Sequence, residues 1–412
     1  RLAAPAPDDT AATALAALLG QTPNLSAAAA FSPAGLTLSE LALAGRGVTL
    51  AGFGRFEAAP GNLSATASLK APDLTLLAPA LGQPCAGSLE LSLDLSGTAD
   101  APRLAAKAAA ERLRLGDLAL TGADLDLTVA DAVKRPSGKL ALSARRDGET
   151  ARLETDFAQA GNRLGLRGIK LAAPDAAFAG EADIDTATGR VAGKLSGNAA
   201  NLAGLGRFSG LPLAGSLKLA ATAAAPKGTS QSLTLDLTGA DLRLPGLTAG
   251  SLAVTASCDD LTGQPRGKAS LAAKALEAGG ASLASLTLSA SGDGRALTLT
   301  TEAKGRIGGK MDLDLAARAA LAPAESGRQR LTVQTLAGNL QGRKFALSSP
   351  TALTFGSGAY RLDGLALAFD KARITASGGF SPNEASGKVS VDNVPLPLLA
   401  LFGLAGIDGT AS

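Results

Sequence analysis

The chain has 412 residues, 46% of them apolar, with 39 basic and 36 acidic side chains and a net charge of +3. The charges are spread evenly, and there is no Trp and a single Tyr, which excludes the basic, aromatic-interleaved surface of a nucleic-acid binder. The complete absence of His removes Ser-His-Asp and Cys-His catalysis and the commonest zinc sites.

Large aromatics dominate the area buried in compact cores, yet this chain offers only Tyr360, 11 Phe and one Met (Met311). Its apolar content is mostly Leu and Ala, and it has 50 Gly. A GC-rich codon bias favours these residues but does not order them.

From the start, Asp9 or Thr10 is placed to cap a short helix through Leu19, stopped by Gly20. The charge-free run Thr10 to Ser39 is broken by Gly20, Pro23, Pro33 and Gly35 and does not read as a transmembrane helix. No signal peptide follows Arg1, and we read the chain as a segment of a longer protein. Period-two alternation then takes over, the mark of a strand with one apolar face. In Ser88–Ser96, Leu89, Leu91, Leu93 and Leu95 fall on one side, and Glu90, Ser92 and Asp94 on the other. The run Ala105–Arg112 suits either a helix or an Ala-rich strand.

The alternation returns in Leu125, Leu127 and Val129, in Leu233, Leu235 and Leu237, and in Leu252 and Val254. It continues through Leu286 and Leu288, Leu297 and Leu299, Met311, Leu313 and Leu315, and Leu365, Leu367 and Phe369. A patch at Leu396–Leu404 is expected to form a short helix or plug. Turn formers such as Gly97, Gly122, Gly239, Pro245-Gly246 and Gly292-Asp293-Gly294 separate the runs. Two pairs of segments echo each other: Ala86–Leu91 with Ala214–Leu219, and Thr121–Leu125 with Thr238–Leu242. At about ten residues per strand and turn, the chain should hold roughly 40 strands.

A face apolar along so many strands must be covered. The alternatives are a set of sandwiches, a closed barrel, a filled β-helix, or a long curved antiparallel sheet with an apolar trough. Missing aromatics count against sandwiches and against the aromatic girdles of a membrane barrel. The filled β-helix, as in an adhesin or autotransporter passenger, remains the rival to the trough. In the trough, an acyl chain supplies the missing cover.

Two stretches carry a family resemblance. Gly87–Asp131 contains GSLELSLDLSGTADAPRL followed by LRLGDLALTGADLDLTV, and Leu336–Phe402 contains LAGNLQGRKFALSSPTALTFGSGAYRLDGLALAF, RITASGGF and VSVDNVPLPLLALF. Both resemble repeating units of the AsmA-like/TamB superfamily of diderm envelope proteins. The resemblance implies an all-β, elongated β-taco, a U-section sheet with a hydrophobic inner groove. It implies a periplasmic protein, anchored in the inner membrane by a helix that these residues do not show. The cargo it implies is phospholipid passing between inner and outer membranes, with an Omp85-type outer-membrane barrel as partner. An assembly factor that pairs its strand edges with barrel strands is compatible with the same fold.

On this reading residues 1–85 hold a short helix and first strands, 86–335 a repetitive β-groove, and 336–412 its continuation. The groove lining is Leu89, Leu91, Leu93, Leu95, Leu125, Leu127, Val129, Leu233, Leu235, Leu237, Leu252, Val254, Leu286, Leu288, Leu365, Leu367 and Phe369. No catalytic residue, cofactor or metal is expected. Gly204-Leu205-Gly206 and Gly356-Ser357-Gly358 lack a third glycine at the phosphate-loop offset. The carboxylate pairs Asp124/Asp126, Asp183/Asp185 and Asp312/Asp314 each flank an apolar residue, which places them on solvated strand faces. Cys85 and Cys258 have no spacing that supports a disulfide.

Overall fold

The protein is described by a computed structural model that covers all residues except 1–15, 21, 117, 225–229, 262–264, 310, 383, 396–409 and 412. The helix cap at Asp9 or Thr10 and the patch Leu396–Leu404 lie outside the described residues. Of the first helix, residues 16–19 are helical, and Gly20 follows in a left-handed conformation at φ 72°. No helix among the described residues is long and apolar enough to cross a membrane.

The chain divides into two compact units, Arg1–Pro212 and Leu213–Ser412. The first contains β1 (Asn24–Ser32), β2 (Gly35–Ala44), β3 (Thr49–Glu57), β4 (Leu63–Ala71), β5 (Cys85–Thr98), β6 (Ala101–Leu115) and β7 (Leu118–Ala119). It continues with β8 (Gly122–Ala130), β9 (Ser137–Arg146), β10 (Glu149–Ala160), β11 (Arg163–Ala173), β12 (Ala176–Asp185) and β13 (Arg190–Ala199). Each strand pairs antiparallel with the next, except that β7 folds back on the end of β6 and β6 also pairs with β8.

The second unit contains β14 (Ala214–Ala224), β15 (Ser232–Leu244), β16 (Leu247–Asp259), β17 (Arg266–Ala278), β18 (Ala281–Asp293), β19 (Leu297–Ile307) and β20 (Met311–Pro323). It ends with β21 (Gln329–Leu340), β22 (Arg343–Leu347), β23 (Thr351–Gly356), β24 (Ala359–Phe369), β25 (Ala372–Ser381) and β26 (Glu384–Asp392), followed by the two-residue pair Val394–Pro395 and Thr410–Ala411. It too is an antiparallel meander. Around Pro350, which has no N–H to give a ladder, one strand splits into β22 and β23, and both halves pair with β21 and β24.

The fold is therefore all-β, with neighbours in sequence as neighbours in space. The parallel stacking of a β-helix is not what these strands adopt. The two meanders use 26 strands among the described residues, fewer than the roughly 40 expected. The reason is strand length: most run from 9 to 15 residues. Ala105–Arg112 is strand, inside β6.

Besides a single 3-10 turn at Glu325–Gly327, two helical segments depart from the expected strands. A 3-10 turn, Leu74–Leu77, runs into the helix Ala78–Leu81, and a second helix spans Leu202–Ser209. Their signals are local. Asp73 accepts the Thr75 N–H and Asn201 accepts the Ala203 N–H, each serving as an N-cap. Gly82 and Gly210 close the helices at φ 65° and 78°, left-handed positions that favour Gly. These are equivalent features: Ala71, Asp73, Leu74, Gly82, Pro84, Gly87, Ser88, Leu89 and Leu91 correspond to Ala199, Asn201, Leu202, Gly210, Pro212, Gly215, Ser216, Leu217 and Leu219 at a constant offset of 128 (199 − 71 = 219 − 91 = 128).

The first sequence echo is thus the end of a longer structural repeat. Gly87 (φ 118°) and Gly215 (φ 97°) sit in matching bulges, against the carbonyls of Glu111 and Arg112 in one case and of Ala240 and Asp241 in the other. The second echo has no such basis. Asp124 lies in a regular ladder, whereas Asp241 is a left-handed bulge residue at φ 50°.

Candidate functional site

The ladders bring the alternating leucines into rows that cross each unit. In the first unit one row begins at Leu25 and passes through Leu43, Leu50, Leu69 and Leu91 to Ala108. It continues through Leu125, Leu142, Leu153 and Leu171 to Phe178. A parallel row carries Leu93, Ala106, Leu127 and Leu140, and another Leu95, Leu104 and Val129. Eleven strands at about 4.8 Å make the first row roughly 50 Å long, measured along the sheet.

The second unit repeats the arrangement. Leu219, Leu237, Val254, Leu271 and Leu288 form one row. The next row is Leu217, Gly239, Leu252, Ala273, Leu286, Ala303 and Leu315, which passes over Gly338 to Phe345 and Phe369. Leu235 lies beside Ala221 and Ala256, and Leu233 beside Ala223 and Cys258. Leu365 and Leu367 face Ala376 and Ile374 on the neighbouring strand. Thr301 is the polar member of the Leu288 row, and its hydroxyl donates to the Thr287 carbonyl at 3.0 Å. Past the bulges at Asp241 and Ala275, Leu242 and Leu276 return to the same face, because a bulge shifts the alternation by one residue.

These side chains are not core. Of the 17 expected lining residues only Phe369 is buried; the others are partly exposed, Leu233 at 38% and Leu288 at 41%. Among the described residues ten of the 17 buried apolar ones are Ala, so the ladder hides the small residues and leaves the Leu side chains standing out. On this face of the first unit a hollow of about 430 Å³ is lined chiefly by Leu89, Ala110, Leu125, Leu142, Leu153 and Leu171.

The opposite face is polar and already partnered. Lys70–Glu90 (3.1 Å), Lys107–Asp126 (3.8 Å), Lys139–Asp156 (3.9 Å), Lys194–Glu181 (3.4 Å) and Lys304–Asp314 (3.3 Å) are ion pairs directly across the ladder. Asp124 meets Arg145 at 2.8 Å and Asp183 takes two bonds from Arg167. Exposed pairs of this kind add little stability, but they fix register, since a one-residue slip would turn every side chain to the wrong face. A larger hollow, about 590 Å³, has Lys70, Glu90, Lys107, Asp126 and Arg145 along it. Lys70, Lys107 and Arg145 along it are each paired within the sheet, to Glu90, Asp126 and Asp124.

Among the described residues no group of His, Cys, Asp and Glu is arranged to hold a metal ion. The expected carboxylate pairs are split between partners: Asp126 goes to Lys107, Asp314 to Lys304, and Asp185 caps a turn at Ala187 and Thr188. Those turn bonds hold the Asp185 carboxyl below its ordinary range. Both cysteines are free; Cys85 is buried, and burial raises its thiol pKa.

At one end of the strands the face is covered in places, while Leu25, Leu115 and Leu244 stay exposed there. In the first unit Ala71, Leu74 and Cys85 form a buried cluster with Leu69, Leu77, Ala78, Leu89 and Leu113. The second helix of that unit sits over Pro174 and Asp175, with Leu202, Ala176 and Ala199 buried beside it. Arg146 donates to the Phe208 carbonyl at 3.0 Å and Arg207 meets Glu149 at 3.2 Å. In the second unit Leu340, Phe369 and Ala372 are buried with Phe345, Leu313 and Met311, and the Phe345 and Phe369 rings stack at 5.4 Å. Compared with protein-family models, with curated proteins and with solved structures, the chain matches none.

Proposed function

We propose that this chain conducts the acyl chains of phospholipid along its apolar face, as part of a bridge between the inner and outer membranes of a diderm envelope. The observation that carries the reading is the set of Leu-rich rows that cross each unit with most of their leucines partly exposed. Contiguous apolar surface of this extent marks a binding surface. Covering an acyl chain of about 16 carbons would contribute on the order of 10 kcal/mol if it were fully buried, and less on a half-open face. The lining is monotonous, with no pocket that would hold one headgroup, so barriers to sliding are small. That suits passage better than storage.

The reading is not enzymatic, and it places the protein in the periplasm. The inner-membrane anchor and the Omp85-type barrel partner follow from the AsmA-like/TamB resemblance. The rival, a structural adhesin or passenger, uses the same residues as inert packing.

The test is transfer of a fluorescent phospholipid from donor to acceptor vesicles tethered by the protein. Leu91→Asp and Leu235→Asp should abolish acceleration while the variants keep their strand content. Transfer unchanged by both substitutions would remove the proposal.

A further inference from the structure

Residues 72–84 join β4 to β5, and those two strands pair directly with each other from Ala65 opposite Leu95 to Ala71 opposite Leu89. The ladder is complete without the connection, so the connection is held on the apolar face by its own contacts. Leu74 is buried with Ala71 and Cys85, and Leu77 and Ala78 belong to the same cluster as the strand residues Leu69, Leu89 and Leu113. Leu76 reaches the β2–β3 connection, where a Cβ at Gly47 would stand 3.5 Å from its Cγ. Among the described residues no hydrogen bond or ion pair ties residues 74–81 to a strand. Its helical turns are too short to persist unpacked.

The equivalent segment at the offset of 128 is held differently. Arg146 donates to the Phe208 carbonyl at 3.0 Å, Arg207 meets Glu149 at 3.2 Å, and the Ala200 N–H donates to the Asp175 carbonyl at 2.7 Å. One copy is tied to the strands by polar groups, and the other rests on them through apolar contacts. Two of the strand residues in the first segment's cluster, Leu89 and Leu113, also line the hollow of about 430 Å³. The covered surface and the hollow are therefore continuous.

We infer that residues 72–84 form a displaceable lid, which an acyl chain entering the hollow lifts in order to take over the leucines beneath. This rests on the lipid-conducting reading and adds a regulation to it. Lifting the lid into water exposes its own leucines and those of the strands, which the hydrophobic effect opposes. An acyl chain covers the strand leucines again, so an apolar ligand has the differential affinity that shifts the equilibrium and a polar solute does not. A hinge is at hand in Gly82, at φ 65° with nothing within 4 Å of where a Cβ would stand. Beyond it Cys85 stays in the ladder opposite Leu115, so the lid can move while the strand does not.

Cys85, buried in the lid's cluster, reports the opening. With Cys258→Ala it is the only thiol in the chain. A water-soluble disulfide reagent should modify it by local opening, at a rate that depends far less on urea than the unfolding of β4–β6 does. Modification only in step with that unfolding overturns the lid. Its role in transport is tested by locking it. Gly47→Cys with Leu76→Cys, in the full chain carrying Cys85→Ala and Cys258→Ala, puts two thiols where the Gly47 Cβ position and the Leu76 side chain meet. Oxidised, this protein should lose most of its acceleration of fluorescent phospholipid transfer between dioleoylphosphatidylcholine vesicles, and reductant should restore it. Equal transfer with the disulfide closed and open overturns the lid while leaving the lipid reading intact. No transfer by the unmodified chain removes the lipid reading and the lid's role with it. The labelling of Cys85 decides by itself if the two introduced thiols do not close.

Discussion

In the first unit part of the apolar face ends beneath helical segments, with Leu74 of the 3-10 turn packed on Ala71 and Cys85 and Leu202 buried, like Ala199. In the second unit it ends within the ladder itself, where Phe345 and Phe369 stack across the space that Gly338 leaves open. A Cβ at Gly338 would stand about 2.9 Å from the Phe345 ring. The same need, covering part of a Leu/Ala face, is met once by a segment between strands, residues 72–84, and once by two aromatics in register. Such a segment can be loosened without disturbing the strands it covers. An aromatic pair cannot, because its backbone belongs to the sheet.

The sharpest break of that comparison is Phe369→Ala, which should cost about 3–5 kcal/mol, the range for a buried Phe truncated to Ala. Hydrogen exchange should show lost protection through β20–β25 and little change in the first unit. Leu74→Ala should cost about 2–4 kcal/mol, and the change should be confined to β4, β5 and the segment between them. If Leu74→Ala loosened every strand of its unit, the segment would not be separable. Asn201→Ala removes the cap of the second helix and should cost about 1 kcal/mol, read as a small drop in Tm and faster exchange at Ala203. The smallest effect has the opposite sign. Ala275 is exposed and holds φ 48° at a bulge, so Ala275→Gly should stabilise the second unit by roughly 0.5–1 kcal/mol.

The pH profile gives a further check common to both units. Hydrogen bonds and the Lys134 ammonium hold the carboxyls of Asp73, Asp100, Asp185 and Asp293 below their ordinary value of 3.8. Depressed carboxyls contribute stability that is present above pH 3.8 and lost as pH falls through the folded values. With no His, the protein should be equally stable from pH 5 to pH 8, and it should lose stability only below about pH 4. A transition between pH 5 and 7 in thermal melts would contradict this assignment.

Much of this was legible in the residues. Leu89, Leu91, Leu93 and Leu95 lie on one face as their spacing implies, because a strand cannot do otherwise without flipping. The rows across strands were not legible. Register is set by turn geometry and by pairs such as Lys107–Asp126, which are 19 residues apart in sequence. The bulges at Arg112, Asp241 and Ala275 were invisible because none is Gly, and a single bulge reverses the alternation that marks a face. The helices at Leu74–Leu81 and Leu202–Ser209 could have been found from Asp73 with Gly82 and from Asn201 with Gly210. The prevailing alternation drew the reading away from them. Strand length was also hidden, since Gly and Pro inside long strands look like turns: Gly97-Thr98 does end β5, but Gly239 lies in the middle of β15.

The central claim is that the half-exposed leucines are a lipid surface. The direct measurement is native mass spectrometry with lipid extraction on protein purified in mild conditions. The account predicts phospholipid bound to the unmodified chain and to Asp94→Asn on the polar face, and absent from a folded Leu91→Asp variant. A fully folded, lipid-free protein would contradict it.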